Sequence, residues 1–191
     1  MNQELREMFV ADQVERNNHP DNDTPEYLQL RERDAQRRQR VKEMIAGGLL
    51  TAPDDYFHAA LIFQHGETLE DIWQAHELAR KAAEMGATKA MGYKDSLWLA
   101  AAALDRWLMY QGKPQKYGTN FVPDGKRWRL WDVDPTTTDA ERAANHVPSL
   151  QEQLKQAERY TQEMPQSAID KDKVPGWLKE ALERWEREDS C

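Results

Sequence analysis

The sequence predicts a mainly α fold, a single-domain multi-helix bundle with one small β-hairpin at about residues 117–133. Three observations predict it. Apolar residues recur at helical spacing through most of the chain. Glycines and prolines stand where those stretches start and stop. Only Tyr117 to Val133 combines aromatic and β-branched residues around a turn signal.

The first helix is expected from about Asn2 to Arg16, followed by a turn-rich break over Asn17, Asn18, His19, Pro20, Asp21, Asn22 and Asp23. Thr24-Pro25-Glu26 reads as an N-cap with proline at the first helical position, opening a helix that runs to about Ala46 and stops at Gly47-Gly48. Thr51 to His65 reads as a third helix, with Pro53, Asp54 and Asp55 in a first turn where negative charge suits the helix dipole; Gly66 ends it. Thr68 caps a fourth, to about Met85. A fifth, from about Lys94 to Tyr110, holds the alanine run that would let another helix approach closely, which marks it as the central helix.

The pattern then changes. Pro123-Asp124-Gly125-Lys126 turns one short strand into another. Thr138 or Asp139 caps a short helix, and Pro148-Ser149 starts one from about Leu150 to Glu163. The expected organisation is a helical domain over 1–163, a linker over 164–174, and an amphipathic C-terminal helix over 175–191 with Trp177, Leu178, Ala181, Leu182 and Trp185 on one face.

Composition narrows the function classes. A net charge of −8 argues against nucleic acid and anionic membranes as partners. The low-charge run Ser96 to Leu104 is far short of the roughly 20 residues that span a bilayer. Residues 1–20 lack the apolar core of a signal peptide, and the single cysteine, Cys191, leaves no intramolecular disulfide; a cytoplasmic location is expected.

The informative residues are charges on apolar stripes. Leu5, Phe9, Asp12 and Arg16 fall on one helical face, as do Leu30, Asp34, Arg37, Val41 and Met44. In the third helix Phe57, Leu61 and His65 align, with His58 and Ile62 one position around. In the fifth, Leu97, Ala101, Leu104, Asp105 and Leu108 align, flanked by Arg106. An unpaired buried charge is costly, so these groups are expected to meet one another or to line a wet cleft; pairing at a solvated stripe edge is the plainer alternative. His65 reads either as a hydrogen-bonded core residue or as a general acid–base group.

After the fifth helix, Gly112 to Asn120 forms a tight loop rich in hydrogen-bonding side chains, either a binding loop or an ordinary connection. Arg31, Arg33, Arg37, Arg38, Arg40 and Lys42 are interleaved with Glu32, Asp34 and Glu43 and read as a solvated helix face. His58, His65, His76 and Glu67 match no specific metal-ligand spacing, so no metal and no cofactor is expected.

Asp12-Gln13-x-x-Arg16, Gln64-His65, Asp105-Arg106 and Gly112-x-x-Gln115-x-Tyr117-Gly118-Thr119, in this order, resemble the motifs of a bacterial domain-of-unknown-function family, number 6624. The likeness covers roughly residues 3–150. That family carries glutamine after Tyr-Gly-Thr, where this chain has Asn120. The resemblance implies a helical fold and a cytosolic bacterial origin, and supplies no activity.

The resulting expectation is an acid–base enzyme, hydrolase- or transferase-like, acting on a small polar substrate. His65 would be the general base or acid, oriented by Asp105 or Asp12. Arg106 or Arg16 would stabilise developing negative charge and Tyr117 would donate a hydrogen bond. Asp12, Arg16, Asp34, Arg37, Gln64, Gln115, Thr119 and Asn120 complete the candidate ligand-binding set. The alternatives are a non-catalytic module binding a small molecule or peptide, and a structural protein whose ion network sets helix register. In the latter the C-terminal helix would dock a partner or a second copy.

Overall fold

A computed structural model describes residues 1–21, 24–87, 95–164, 166 and 168–190. Asn22 and Asp23 of the expected break, the expected helix start at Lys94, Pro165 and Ser167 of the expected linker, and Cys191 lie outside the described residues. Among those described, eight helices and one two-stranded antiparallel sheet make a mainly α fold. The chain divides into two compact units, Met1–Ala103 and Leu104–Cys191, instead of the expected 1–163 domain, linker and appended helix. The boundary falls inside the fifth helix, α5 (Ser96–Met109), which the alanine run had marked as the centre of a single body.

The first unit holds α1 (Gln3–Asn17), α2 (Pro25–Ala46), α3 (Pro53–Gln64), α4 (Leu69–Glu84) and the start of α5. Local chemistry starts these helices. The Asn2 side chain accepts the Leu5 N–H, and Thr24 and Thr68 cap α2 and α4 in the same way. Asp55 in the first turn of α3 accepts the N–H groups of Thr51 and Ala52, and also that of Asn2 at 2.6 Å, so one buried carboxylate both caps α3 and pins the start of α1 to it. Leu5, Val41, Met44, Phe57, Ile62 and Phe63 form the core, and Ala59, Ala60, Ala75, Ala79 and Ala82 let α3 and α4 approach closely.

The second unit holds the end of α5, β1 (Phe121–Pro123), β2 (Trp128–Leu130), α6 (Asp139–Ala144), α7 (Leu150–Glu163) and α8 (Gly176–Asp189). The strands pair Phe121 with Leu130 and Pro123 with Trp128. Thr138 and Ser149 each form a reciprocal capping box, with Glu141 and Glu152 respectively. Trp131 is the centre of this unit's core, edge-on to Trp177 and Trp185 with ring centroids 5.4 and 5.6 Å away. Leu178, Ala181, Leu182 and Trp185 are buried with it, and Ile169 and Val174 pack alongside. The C-terminal helix is therefore core, and the stretch expected as a linker contributes apolar contacts.

Candidate functional site

The acids that share stripes with apolar residues are buried. Asp12 on α1 and Asp34 on α2 are each 1% exposed, level with Leu5, Phe9, Leu30 and Val41 on the same faces. Neither is left unpaired. The Asp12 carboxylate meets Arg16 at 3.5 Å and Arg37 at 3.9 Å, and takes a hydrogen bond from Gln13. Asp34 binds Arg16 across the two helices, Arg37 at 3.3 Å and Arg31 at 3.5 Å. Glu15 adds a carboxylate at 2.7 Å from Arg37 and 2.8 Å from Arg33. The ion pairs close into one set of four arginines (Arg16, Arg31, Arg33, Arg37) and four carboxylates (Asp12, Glu15, Asp34, Glu67), joined by His65.

His65 caps the end of α3. Its Nδ1 lies 3.0 Å from Asp12 Oδ1. A carboxylate only accepts, so Nδ1 carries a proton, and the tautomer this contact selects is the one with its lone pair on Nε2. Nε2 makes no hydrogen bond among the described residues, and the side chain is 22% exposed. Burial acts to raise the Asp12 carboxyl. The hydrogen bond from His65 and the positive charges of Arg16 and Arg37 oppose it and hold the carboxyl below its usual range.

Gly66 is what allows this turn. A Cβ built on it would lie 2.3 Å from the Cβ of Asp71, in the first turn of α4, and Asp71 is itself held by Arg38 at 3.1 Å and Lys42 at 3.4 Å. The basic run of α2 is thus only partly the solvated face its charge pattern suggested. Arg31, Arg37 and Arg38 turn inward onto acids, whereas Arg33, Arg40 and Lys42 stay exposed enough to fit that reading. Arg31 belongs in the sequence to that solvated face, and its signal for an inward role is its place three residues before Asp34, the spacing of a helical ion pair.

The remaining predicted site residues belong to the second unit and do a different job. Asp105 is fully buried, and both carboxylate oxygens are taken by the loop that follows α5. Oδ1 accepts from the backbone N–H groups of Lys116 (2.7 Å) and Tyr117 (2.8 Å). Oδ2 accepts from those of Gly118 (2.9 Å) and Thr119 (3.0 Å) and from the Thr119 hydroxyl (2.8 Å). Burial lifts the Asp105 carboxyl above its ordinary range, against the pull of these donors. The loop curls around the carboxylate with Gly118 at φ 91°, a conformation that favours glycine. Asp105 is therefore not the carboxylate that orients His65; Asp12 is.

Gln115 is equally committed. Its Nε2 donates to the carbonyls of Asn120 (3.1 Å) and Trp131 (2.9 Å), and its Oε1 accepts the Asn120 N–H. Arg142, which the sequence reading did not single out, is buried and donates to the carbonyls of Tyr117 and Thr137. Arg106 donates to the Tyr110 hydroxyl at 2.9 Å. The Tyr117 ring lies under Lys116 Nζ at 5.3 Å, and Asn120 donates to the Thr119 hydroxyl. The predicted residues thus divide between the units: Asp12, Arg16, Asp34, Arg37, Gln64 and His65 in the first, Asp105, Arg106, Gln115, Tyr117, Thr119 and Asn120 in the second.

No family model, curated protein or solved structure matches the chain. Among the described residues no cluster of three histidine, cysteine, aspartate or glutamate side chains is placed to hold a metal, and no helix is long and apolar enough to cross a membrane.

Proposed function

We propose that the first unit carries an acid–base site in which His65, held by Asp12, moves a proton during hydrolysis or group transfer on a small polar substrate. The single observation that carries this reading is the 3.0 Å contact between His65 Nδ1 and the buried Asp12, with Nε2 left unbonded among the described residues on a partly exposed ring. In the hydrolytic form, Nε2 takes a proton from water as the oxygen adds to an electrophilic centre. Asp12 stabilises the imidazolium, which returns its proton to the leaving group. Positioned bases of this kind contribute about 10²- to 10⁴-fold in rate.

The motif resemblance supports a place in a bacterial family and in the cytosol, and the scarcity of cysteine agrees with a reducing compartment. The loop 112–120 is read as framework, because Asp105 and Gln115 spend their hydrogen-bonding groups within it.

The test is a turnover screen over ester, amide and transfer substrates, repeated on His65→Ala. Turnover falling at least about 100-fold while circular dichroism and melting stay unchanged is the expected result. Turnover that survives the substitution overturns the assignment. Loss of the fold reassigns His65 to structure.

A further inference from the structure

Arg31 stands out within the ion-pair set by how its guanidinium is held. Nη1 donates to the backbone carbonyl of His65 itself at 3.2 Å and lies 3.5 Å from the buried Asp34. A guanidinium is a rigid plane, so fixing Nη1 fixes the direction of Nη2. Nη2 meets Glu67 Oε1 at 2.7 Å. The two carboxylates on Arg31 are very different partners. Asp34 is 1% exposed and shared with Arg16 and Arg37, whereas Glu67 is 64% exposed and has this one ion pair among the described residues. Exposed pairs contribute little, and Glu67 is the partner that exchanges readily.

We propose that Arg31 is the substrate anchor of the His65 site and that the substrate bears a single carboxylate, which takes the place of Glu67 on Arg31 Nη2. This inference rests on the acid–base reading of His65. The charge count selects the class. The set balances four arginines against four carboxylates, with His65 the remaining titratable member. Exchanging Glu67 for a monocarboxylate keeps that balance, and the proton His65 later gains is matched by the negative charge developing on the substrate. A dianionic phosphate group would leave an extra negative charge beside Asp12 and Asp34. Arginine, with its planar fork, also suits a carboxylate better than lysine would.

The experiment titrates the full chain, labelled with ¹⁵N, with acetate at constant ionic strength, following the Arg31 guanidinium and His65 imidazole signals. Acetate is expected to shift both saturably. Glu67→Gln, which frees Nη2 at a solvated position, is expected to tighten acetate about two- to fivefold, the size of the exposed pair it removes. Arg31→Gln is expected to abolish the response. Because Arg31→Gln also strips Asp34 of a partner, Glu67→Gln decides the matter if that variant fails to fold. Acetate affinity unmoved by Glu67→Gln overturns the proposal, and so does inorganic phosphate binding more tightly than acetate. The ligand-free imidazole spectrum separates the two readings. The Nδ1–H tautomer without an acetate response refutes the anchor alone, and the opposite tautomer refutes the acid–base reading beneath it.

Discussion

Two buried ionisable residues on facing helices respond to acid in different pH windows. Asp12 is held below the usual carboxylate range in the folded chain. Below about pH 4 the unfolded chain protonates this group while the folded chain resists. The Asp12 contribution is therefore present above that pH and is lost as pH falls through the folded value. Asp12→Asn should flatten the urea-midpoint curve there and cost about 3 kcal/mol at neutral pH, since it leaves Arg16 and Arg37 short of a buried counter-charge. His58 behaves differently. It is buried, stacked on Phe9 with ring centroids 4.2 Å apart, and its buried Nδ1 has no hydrogen-bond partner among the described residues. Burial, with a smaller push from Arg6, lowers its pKa against the attraction of Asp54 and Asp55. Its stability contribution is complete above the unfolded value near 6.5 and declines as pH falls below it. His58→Phe keeps the stack and removes the proton site. Its stability should match or exceed that of the wild type at pH 7 and fall less between pH 7 and 5; an unchanged acid slope would mean that His58 is not the group titrating.

At the scale of the elements, the two connections that shape the candidate residues depend on different chemistry. The α3–α4 turn depends on the absence of a side chain at Gly66. Gly66→Ala forces a Cβ into the Asp71 side chain and should cost about 2 kcal/mol, as overpacking does, while displacing the neighbouring His65 from Asp12. Melting temperature and the imidazole tautomer read the two effects separately. The loop after α5 depends on one carboxylate. Asp105→Asn puts an amide donor against backbone N–H groups at 2.7–3.0 Å and should cost about 3 kcal/mol, with faster hydrogen exchange confined first to amides 116–119. These cases also mark what the sequence made legible. The helix starts at Thr24, Thr68, Thr138 and Ser149 follow from capping, which acts within three or four residues. The burial of Asp12, Asp34 and Asp105 follows from the helical period, which places an acid on an apolar face without saying what meets it there. The partners come from residues 18 and 53 positions away in Arg16–Asp34 and Asp12–His65, and from backbone amides for Asp105. Pattern along one element carries no trace of either. Arg31 was hidden in an alternating charge run that reads as a wet surface.

For the whole chain, the division at Ala103–Leu104 has no compositional mark, because the apolar run of α5 continues across it. What the sequence does mark, a polar stretch before a last amphipathic helix, suggests an appendage and is misleading. The described residues of 164–174 are all exposed or half-buried, which suits their polarity, yet Ile169 and Val174 pack on the second core and α8 completes it. Removing residues 175–191 separates the two descriptions. At about 1.5–3 kcal/mol for each large apolar side chain buried, the loss of Leu178, Leu182 and Trp185 amounts to roughly 5–9 kcal/mol. That is comparable with the roughly 5–15 kcal/mol that holds a whole domain together. The second unit should therefore unfold outright, because Trp131 would lose the two indoles that enclose it. Tryptophan emission should shift to the red, and amides 116–119 should lose exchange protection although none of them belongs to the deleted helix. Retained protection with no red shift of the remaining indoles would make α8 an accessory after all, and would require the Trp131 core to stand on the hairpin, the end of α5 and the Ile169–Val174 stretch.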